Sequence, residues 1–245
     1  MLASLPEGIV SVILSLLLSY AAYRQKMLTL AGSVAAFTVS ALIGLLGNLS
    51  WLLLILTFVA AAFVTTRFRI LEKARMGLQE GRKGERGSLN VVGNSLPAVF
   101  IALLSTVLGV HGSQTGYAII YTVAIGAATA DTLASEIGVI DRHPRLITTM
   151  RPVPPGTDGG ISVLGTAASF GGALFISVAG YVLMMLLGQP LPAYFIPLTA
   201  VLGLLGSLID SLLGATLERN GLIGKQTNNL ASIVVACFIA GALVI

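Results

Sequence analysis

A chain whose longest stretches are apolar from end to end has few ways to fold. Here such runs recur as Gly8–Tyr23, Met27–Leu46, Leu49–Thr66, Asn90–Val110, Gly116–Ala134, Val163–Leu187, Tyr194–Leu217 and Thr227–Ile245. A helix that crosses a bilayer takes about 20 apolar residues, and in hydrocarbon a helix satisfies its backbone hydrogen bonds internally. The runs therefore predict an all-α, polytopic transmembrane helix bundle of about eight spans, forming a single integral membrane domain over 1–245. Charged residues make up only 10% of the chain, against about 25% in soluble domains. The first run has only Glu7 as a charge ahead of it. It lacks the basic leader of a secretory signal and is read as a span.

If the spans alternate in direction, every Lys and Arg falls on one side. Arg24 and Lys26 lie in the first of four segments there, and the second runs from Arg67 to Arg86. Arg142, Arg145 and Arg151 lie in the third, and Arg219 and Lys225 in the fourth. The other side keeps short connections around Asn48, His111–Thr115 and Gly188–Pro192. The positive-inside rule then places both termini outside and the charged segments in the cytosol. These include a basic segment at 67–89, expected as a helix on the bilayer surface, and a Gly/Pro-rich loop at 139–162. Nine of the ten acids share that side, Glu7 being the exception. Polar residues gathered at one face fit an enzyme or binding protein of the cell membrane, open to the cytosol. A carrier needs a polar path through its full depth. The single Cys237 excludes a disulfide, and His111 and His143 lack metal-ligand spacing. The net charge of +4 comes without a basic domain carrying interleaved aromatics, so nucleic acid is not an expected partner.

The chemistry concentrates between Ala127 and Ser162 and in the last two spans. An acid inside an apolar helix is costly and usually faces a cavity. Asp131 and Ser135 share a helical face, whereas Glu136 points about 140° away on a regular helix. One metal therefore needs a helix break here, or else Glu136 works on a neighbouring helix. The turn Pro154-Pro155-Gly156-Thr157-Asp158-Gly159-Gly160-Ile161-Ser162 opens the sixth span, and its glycines let backbone N–H groups approach an anion at a helix N-terminus. Ser162, Thr166 and Ser169 continue along one face. Ser207, Asp210, Gly214 and Glu218 form a stripe on the seventh span, and Asn228 and Ser232 share a face of the eighth. Arg86, Asn90 and Asn94 lie on one face of the fourth span and could bond a base, a phosphate or a carboxylate. Mg²⁺ commonly binds through one or two carboxylates plus substrate phosphates. The set Asp131, Asp210 and Glu136 is expected to hold Mg²⁺ and to be catalytic. Arg86, Asn90, Asn94, Ser135, Pro155, Gly156, Thr157, Asp158, Gly159, Gly160, Ser162 and Asn228 are expected to bind nucleotide or acceptor.

Three blocks in order, ATADTLASEIG at Ala128–Gly138, RLITTMRPVPPGTDGGISVLGTAAS at Arg145–Ser169 and DSLLGATLE at Asp210–Glu218, resemble the DUF92/TMEM19 membrane family. That family includes the plant and cyanobacterial phytyl-phosphate kinases. Asp131, Glu136, Gly156, Thr157, Gly159, Gly160 and Asp210 match its pattern directly. Its fourth span often carries Arg-x-x-x-Gln-x-x-x-Asn, which Arg86, Asn90 and Asn94 match with one exchange. Asp158 stands where other members carry Ser or Asn, so it is not taken as the catalytic acid. The resemblance implies phosphoryl transfer from a nucleoside triphosphate, CTP favoured, to an isoprenyl monophosphate such as phytyl or geranylgeranyl phosphate. The alternatives are a CTP-dependent cytidylyltransferase acting on a phosphorylated lipid and a non-enzymatic lipid or isoprenoid carrier.

Overall fold

The computed structural model describes residues 4–79, 81, 84–108 and 113–245. Glu80, Arg82, Lys83 and His111, with the last two residues of the expected fourth span, lie outside them. The helices are α1 (Leu5–Arg24), α2 (Leu30–Leu46), α3 (Leu49–Arg67), a short α4 (Ile70–Arg75), α5 (Ser88–Val107), α6 (Gln114–Gly138), α7 (Val163–Leu186), α8 (Phe195–Leu213) and α9 (Lys225–Val244). Seven of them are long and apolar enough to cross a membrane, and α2 is a shorter apolar helix. The chain is thus an all-α polytopic bundle.

Short polar residues between the apolar runs start several of the helices. Thr29, Asn48, Ser113 and Ser162 each accept a hydrogen bond from the backbone N–H three residues on. Those N–H groups have no partner inside the helix. Glu7, the one acid away from the polar side, closes a capping box: its carboxylate accepts from the N–H of Ser4 at 3.0 Å. Its role is local to α1.

Helix α6 is the axis. It is the most buried span and packs against α3, α5, α7, α8 and α9. Small residues let its neighbours come close, as in small-residue packing of membrane helices generally. A Cβ added at Gly172 of α7 would sit 3.3 Å from the carbonyl oxygen of Thr129, and one added at Gly206 of α8 would sit 2.5 Å from the Cβ of Ala127. Toward the other end, Trp51 of α3 stacks on Tyr121 of α6 with ring centroids 4.3 Å apart. The Tyr121 hydroxyl donates to the Trp51 carbonyl at 2.7 Å.

The four basic segments meet at one end of the bundle. Arg67 donates to the carbonyl of Gln25 at 3.2 Å, and the N–H of Arg86 donates to the carbonyl of Met27 at 3.0 Å. Most described residues from Arg67 to Gly77 are exposed, with one buried exception in the short helix that follows α3. That helix, α4, buries Lys73, which is only 1% exposed. The 139–162 loop is ordered by a two-stranded antiparallel ladder, β1 (Arg145–Leu146) against β2 (Gly160–Ile161). Nothing in the apolar pattern signals this hairpin, because its strands are two residues long.

Candidate functional site

At the polar end a cavity of about 310 Å³ opens among the C-terminal part of α6, the N-terminal part of α7, the C-terminal part of α8 and the start of α9. That volume is at the lower end of the range for small-molecule sites. The stripes read from the sequence converge on it. Asp131 and Ser135 come from α6, Ser162, Thr166 and Ser169 from the start of α7, Ser207, Asp210, Gly214 and Glu218 from α8 and its extension, and Asn228 from α9. The whole turn from Pro155 to Ser162 forms another wall.

Asp131 and Asp210 face each other, close enough for their carboxyl groups to interact directly. Around Asp210 the polar contacts are dense. Ser232 donates its hydroxyl to Oδ1 at 3.0 Å, and Nδ2 of Asn228 reaches Oδ2 at 3.3 Å. The same Nδ2 donates to the Asp210 carbonyl at 3.1 Å and to Oε2 of Glu218 at 3.0 Å. Glu218 is carried round by a turn of π-helix, Gly214–Glu218, that continues α8. Such wide turns are rare and cluster at functional sites. No local pattern announced this one.

The glycine turn is pressed against that π-turn. Gly159 has φ +72, and a Cβ there would collide with the backbone and side chain of Ala215. Thr157 closes the turn by donating its hydroxyl to the Pro154 carbonyl at 2.7 Å. From the opposite side, Leu78 covers Gly156, where an added Cβ would sit 2.5 Å from its Cδ2. Ser162 lines the cavity while its hydroxyl oxygen caps α7.

Four expected residues remain, and of these only Glu136 lines the main cavity. Helix α6 runs unbroken to Gly138, so Glu136 leaves it on a different face from Asp131, although both line the main cavity. Its carboxylate is already engaged. Lys73 Nζ lies 2.6 Å from Oε2, the Thr66 hydroxyl donates to Oε1 at 2.7 Å, and Arg86 approaches Oε1 at 3.5 Å. Of the three acids expected to hold metal, Glu136 has both oxygens engaged by Lys73, Thr66 and Arg86, whereas Asp131 and Asp210 interact with each other. Lys73, read from the sequence only as one charge of the basic surface segment, is the residue that reading missed. Arg86, Asn90 and Asn94 line a second, smaller cavity of about 60 Å³ between α2, α3 and α5. Within it, Nδ2 of Asn94 donates to the carbonyl of Asn90 at 2.9 Å.

The main cavity has a clear electrostatic demand. Asp131, Asp158, Asp210 and Glu218 line it against Lys225, together with Glu136, whose charge is met by Lys73. A bare phosphate would be repelled, whereas a divalent cation, or phosphates bound to one, would be drawn in. Among the described residues no cluster of three His, Cys, Asp or Glu side chains could hold a metal alone. A cation here would complete its shell from substrate, as Mg²⁺ commonly does. One further atom fits this. Oδ1 of Asn228 is buried beside the two carboxylates with no hydrogen-bond partner among the described residues. A buried carbonyl oxygen without a partner carries a desolvation cost that a cation would relieve. The donor set, all hard oxygen, suits Mg²⁺.

A family model described as integral membrane protein DUF92 matches residues 13–239. An uncharacterised membrane protein of Methanocaldococcus jannaschii is 30% identical over 92% of this chain and 90% of its own length. Protein PGR of Arabidopsis thaliana is 30% identical over 89% of this chain and 83% of its own. Protein VTE6, chloroplastic, also of Arabidopsis thaliana, is 31% identical over 84% of this chain and 61% of its own length. No solved structure matches the chain.

Proposed function

This chain belongs to the DUF92 family of integral membrane proteins, and we propose that its main cavity transfers a phosphoryl group from a nucleoside triphosphate to an isoprenyl monophosphate. The observation that carries this reading is the facing pair Asp131 and Asp210, set beside the Pro155–Ser162 turn at the polar end of the bundle. CTP is the favoured donor and phytyl or geranylgeranyl phosphate the favoured acceptor, as the sequence blocks shared with phytyl-phosphate kinases imply. The reaction side is the cytosolic face of the membrane, in keeping with the grouping of basic residues at that end.

Phosphoryl transfer asks a protein mainly for positioning and charge, with little covalent participation. The acceptor is a phosphate monoester whose second ionisation falls near pH 6. It is largely deprotonated at neutral pH and needs no general base. One of its oxygens forms a bond to the γ-phosphorus. The bond from that phosphorus to the bridging oxygen breaks, and its electron pair leaves with the nucleoside diphosphate. Mg²⁺, when bound, supplies the positive charge that neutralises the triphosphate and its leaving group. Asp131 and Asp210 would hold it, with Asn228 Oδ1 as a neutral ligand. Ser232 and Asn228 fix the Asp210 carboxylate. Backbone N–H groups of the glycine turn would receive phosphate oxygens, and Thr157 keeps that turn closed.

The test is direct. The purified protein is given γ-labelled CTP or ATP, Mg²⁺ and geranylgeranyl phosphate. Labelled prenyl diphosphate with release of nucleoside diphosphate is expected. Release of pyrophosphate would replace this reading with cytidylyl transfer, and no product with any nucleotide would overturn it.

A further inference from the structure

The main cavity is a poor seat for the hydrocarbon half of the proposed substrate. Its lining mixes apolar residues with Asp131, Ser169, Ser207 and Asp210. Ser169 is buried and its hydroxyl has no partner among the described residues. An isoprenoid tail placed there would bury polar groups against hydrocarbon, at a cost for each one left unpaired.

The second cavity has the opposite character. Helices α3 and α5 each pack on α2 and on α6 but make little contact with each other. The gap between them is lined by Ala36, Phe58, Val59, Ala62, Phe63 and Val91, with Arg86, Asn90 and Asn94 at one side. It lies among membrane-spanning helices and carries a cation at the polar end of the bundle. That is the layout a lipid phosphate requires, with the head on the guanidinium and the chain on apolar walls.

The two cavities also share a wall. Glu136 lines the larger one and contacts Arg86 and Thr66, which line the smaller. Asn229 lines the larger one and donates to Oδ1 of Asn94 in the smaller at 3.3 Å. Arg86 is the more distant cation at Glu136: it stands 3.5 Å away and donates to the Thr66 hydroxyl at 3.2 Å, whereas Lys73 stands at 2.6 Å. If Arg86 turns to a phosphate, Glu136 keeps a buried counter-charge.

We propose that the gap between α3 and α5 seats the head-proximal part of the acceptor's hydrocarbon chain, and that Arg86 holds its phosphate at the wall shared with the nucleotide cavity. The inference rests on the isoprenyl-phosphate reading, and its test separates the two. Wild-type protein in detergent is photolysed with a geranylgeranyl phosphate analogue carrying a diazirine near the head group, and the labelled peptides are identified by mass spectrometry. Label on α3 and α5, around Phe63 and Val91, is expected. Label confined to α7 and α8 would overturn the seat while leaving the kinase reading intact. Label at α3 and α5 without any turnover would sink the kinase reading and keep the seat.

Two variants add an independent measure. Val91→Phe fills the gap and should weaken equilibrium binding of both geranylgeranyl phosphate and geranylgeraniol by about tenfold, leaving nucleotide binding unchanged. Arg86→Gln should weaken binding of the phosphate and spare the alcohol, and Arg86→Lys should recover part of the loss. Loss of nucleotide and lipid binding together in folded Val91→Phe, or equal loss of phosphate and alcohol in Arg86→Gln, would refute the assignment.

Discussion

Lys73 and Glu136 form a buried ion pair across 63 residues of sequence, with Nζ 2.6 Å from Oε2 and both side chains almost wholly withdrawn from solvent. Lys73 also donates to the carbonyls of Thr65 at 3.1 Å and Thr66 at 2.9 Å, the last turn of α3. One ammonium thus satisfies a helix end and a carboxylate on α6. Its three donors are all used. The pair ties α4 to the central helix, and the residues just after α4, Leu78 and Gln79, reach the rim of the main cavity.

Lys73→Met should therefore destabilise the protein strongly, because it leaves Glu136 buried with only the more distant Arg86 as counter-charge. Removing one partner of a buried pair costs about 3–5 kcal/mol. Thermal unfolding in detergent should show a clear fall in Tm. Adding Glu136→Gln to the same chain should restore part of it, since the amide needs no cation. A Tm equal to wild type in Lys73→Met alone would show that the pair contributes nothing.

Asp131→Asn and Asp210→Asn should separate stability from activity. Each removes one of two facing carboxyl groups, so repulsion falls when no cation is bound, and Tm should then hold or rise. Turnover should drop by at least about a hundredfold, the scale of losing one preorganised electrostatic contact. Stabilisation by added Mn²⁺, seen as a Tm shift in the wild type, should vanish in both variants. Retained Mn²⁺ stabilisation in the folded variants would remove the acid pair from any cation site.

These two sites were unequally legible in the sequence. The spans could be read because a membrane core leaves helices and closed barrels as the only solutions, and the apolar runs had helical length. Asp131, Asp210, Asn228 and the Pro155–Ser162 turn could be read because each lies on a helical face, or at a helix start, that faces the same end. The separation of Arg86, Asn90 and Asn94 from the acid pair could not be read. All approach the polar end, and only the packing of α5 against α2 decides which cavity they enter. Lys73 was hidden for another reason: within a run of basic residues, burial of one is set by a partner on a distant helix. The π-turn that brings Glu218 to Asn228 leaves no periodic trace, since one turn of wider helix displaces only a few side chains.

Gly159→Ala should be far more damaging than its size suggests. The position needs a left-handed backbone, which costs a residue with a Cβ about 1–2 kcal/mol, and the new methyl meets Ala215 of the π-turn. The turn and the π-helix must part, so nucleotide KM should rise by about tenfold or more while the helices remain folded. Gly171→Ala on α7 is the matched control, because a Cβ there meets nothing within 4 Å. Equal kinetics in the two variants would mean that the turn does not touch the nucleotide.

The placement of the polar end in the cytosol can be tested by chemical labelling. Replacing Cys237 by Ala removes the single native thiol, which sits half-buried against α6 near the Ile120 carbonyl. Into that background a cysteine is placed either at Arg151, exposed in the loop before the glycine turn, or at Pro190, exposed in the connection between α7 and α8. The two positions lie at opposite ends of α7, so a membrane-impermeant maleimide must reach them from opposite sides. Intact cells should label Pro190→Cys and spare Arg151→Cys, and inverted vesicles should reverse the pattern. The opposite result would put the basic segments outside, against the charge rule that orients membrane helices. A nucleotide drawn from the cytosol could then not reach the facing aspartates.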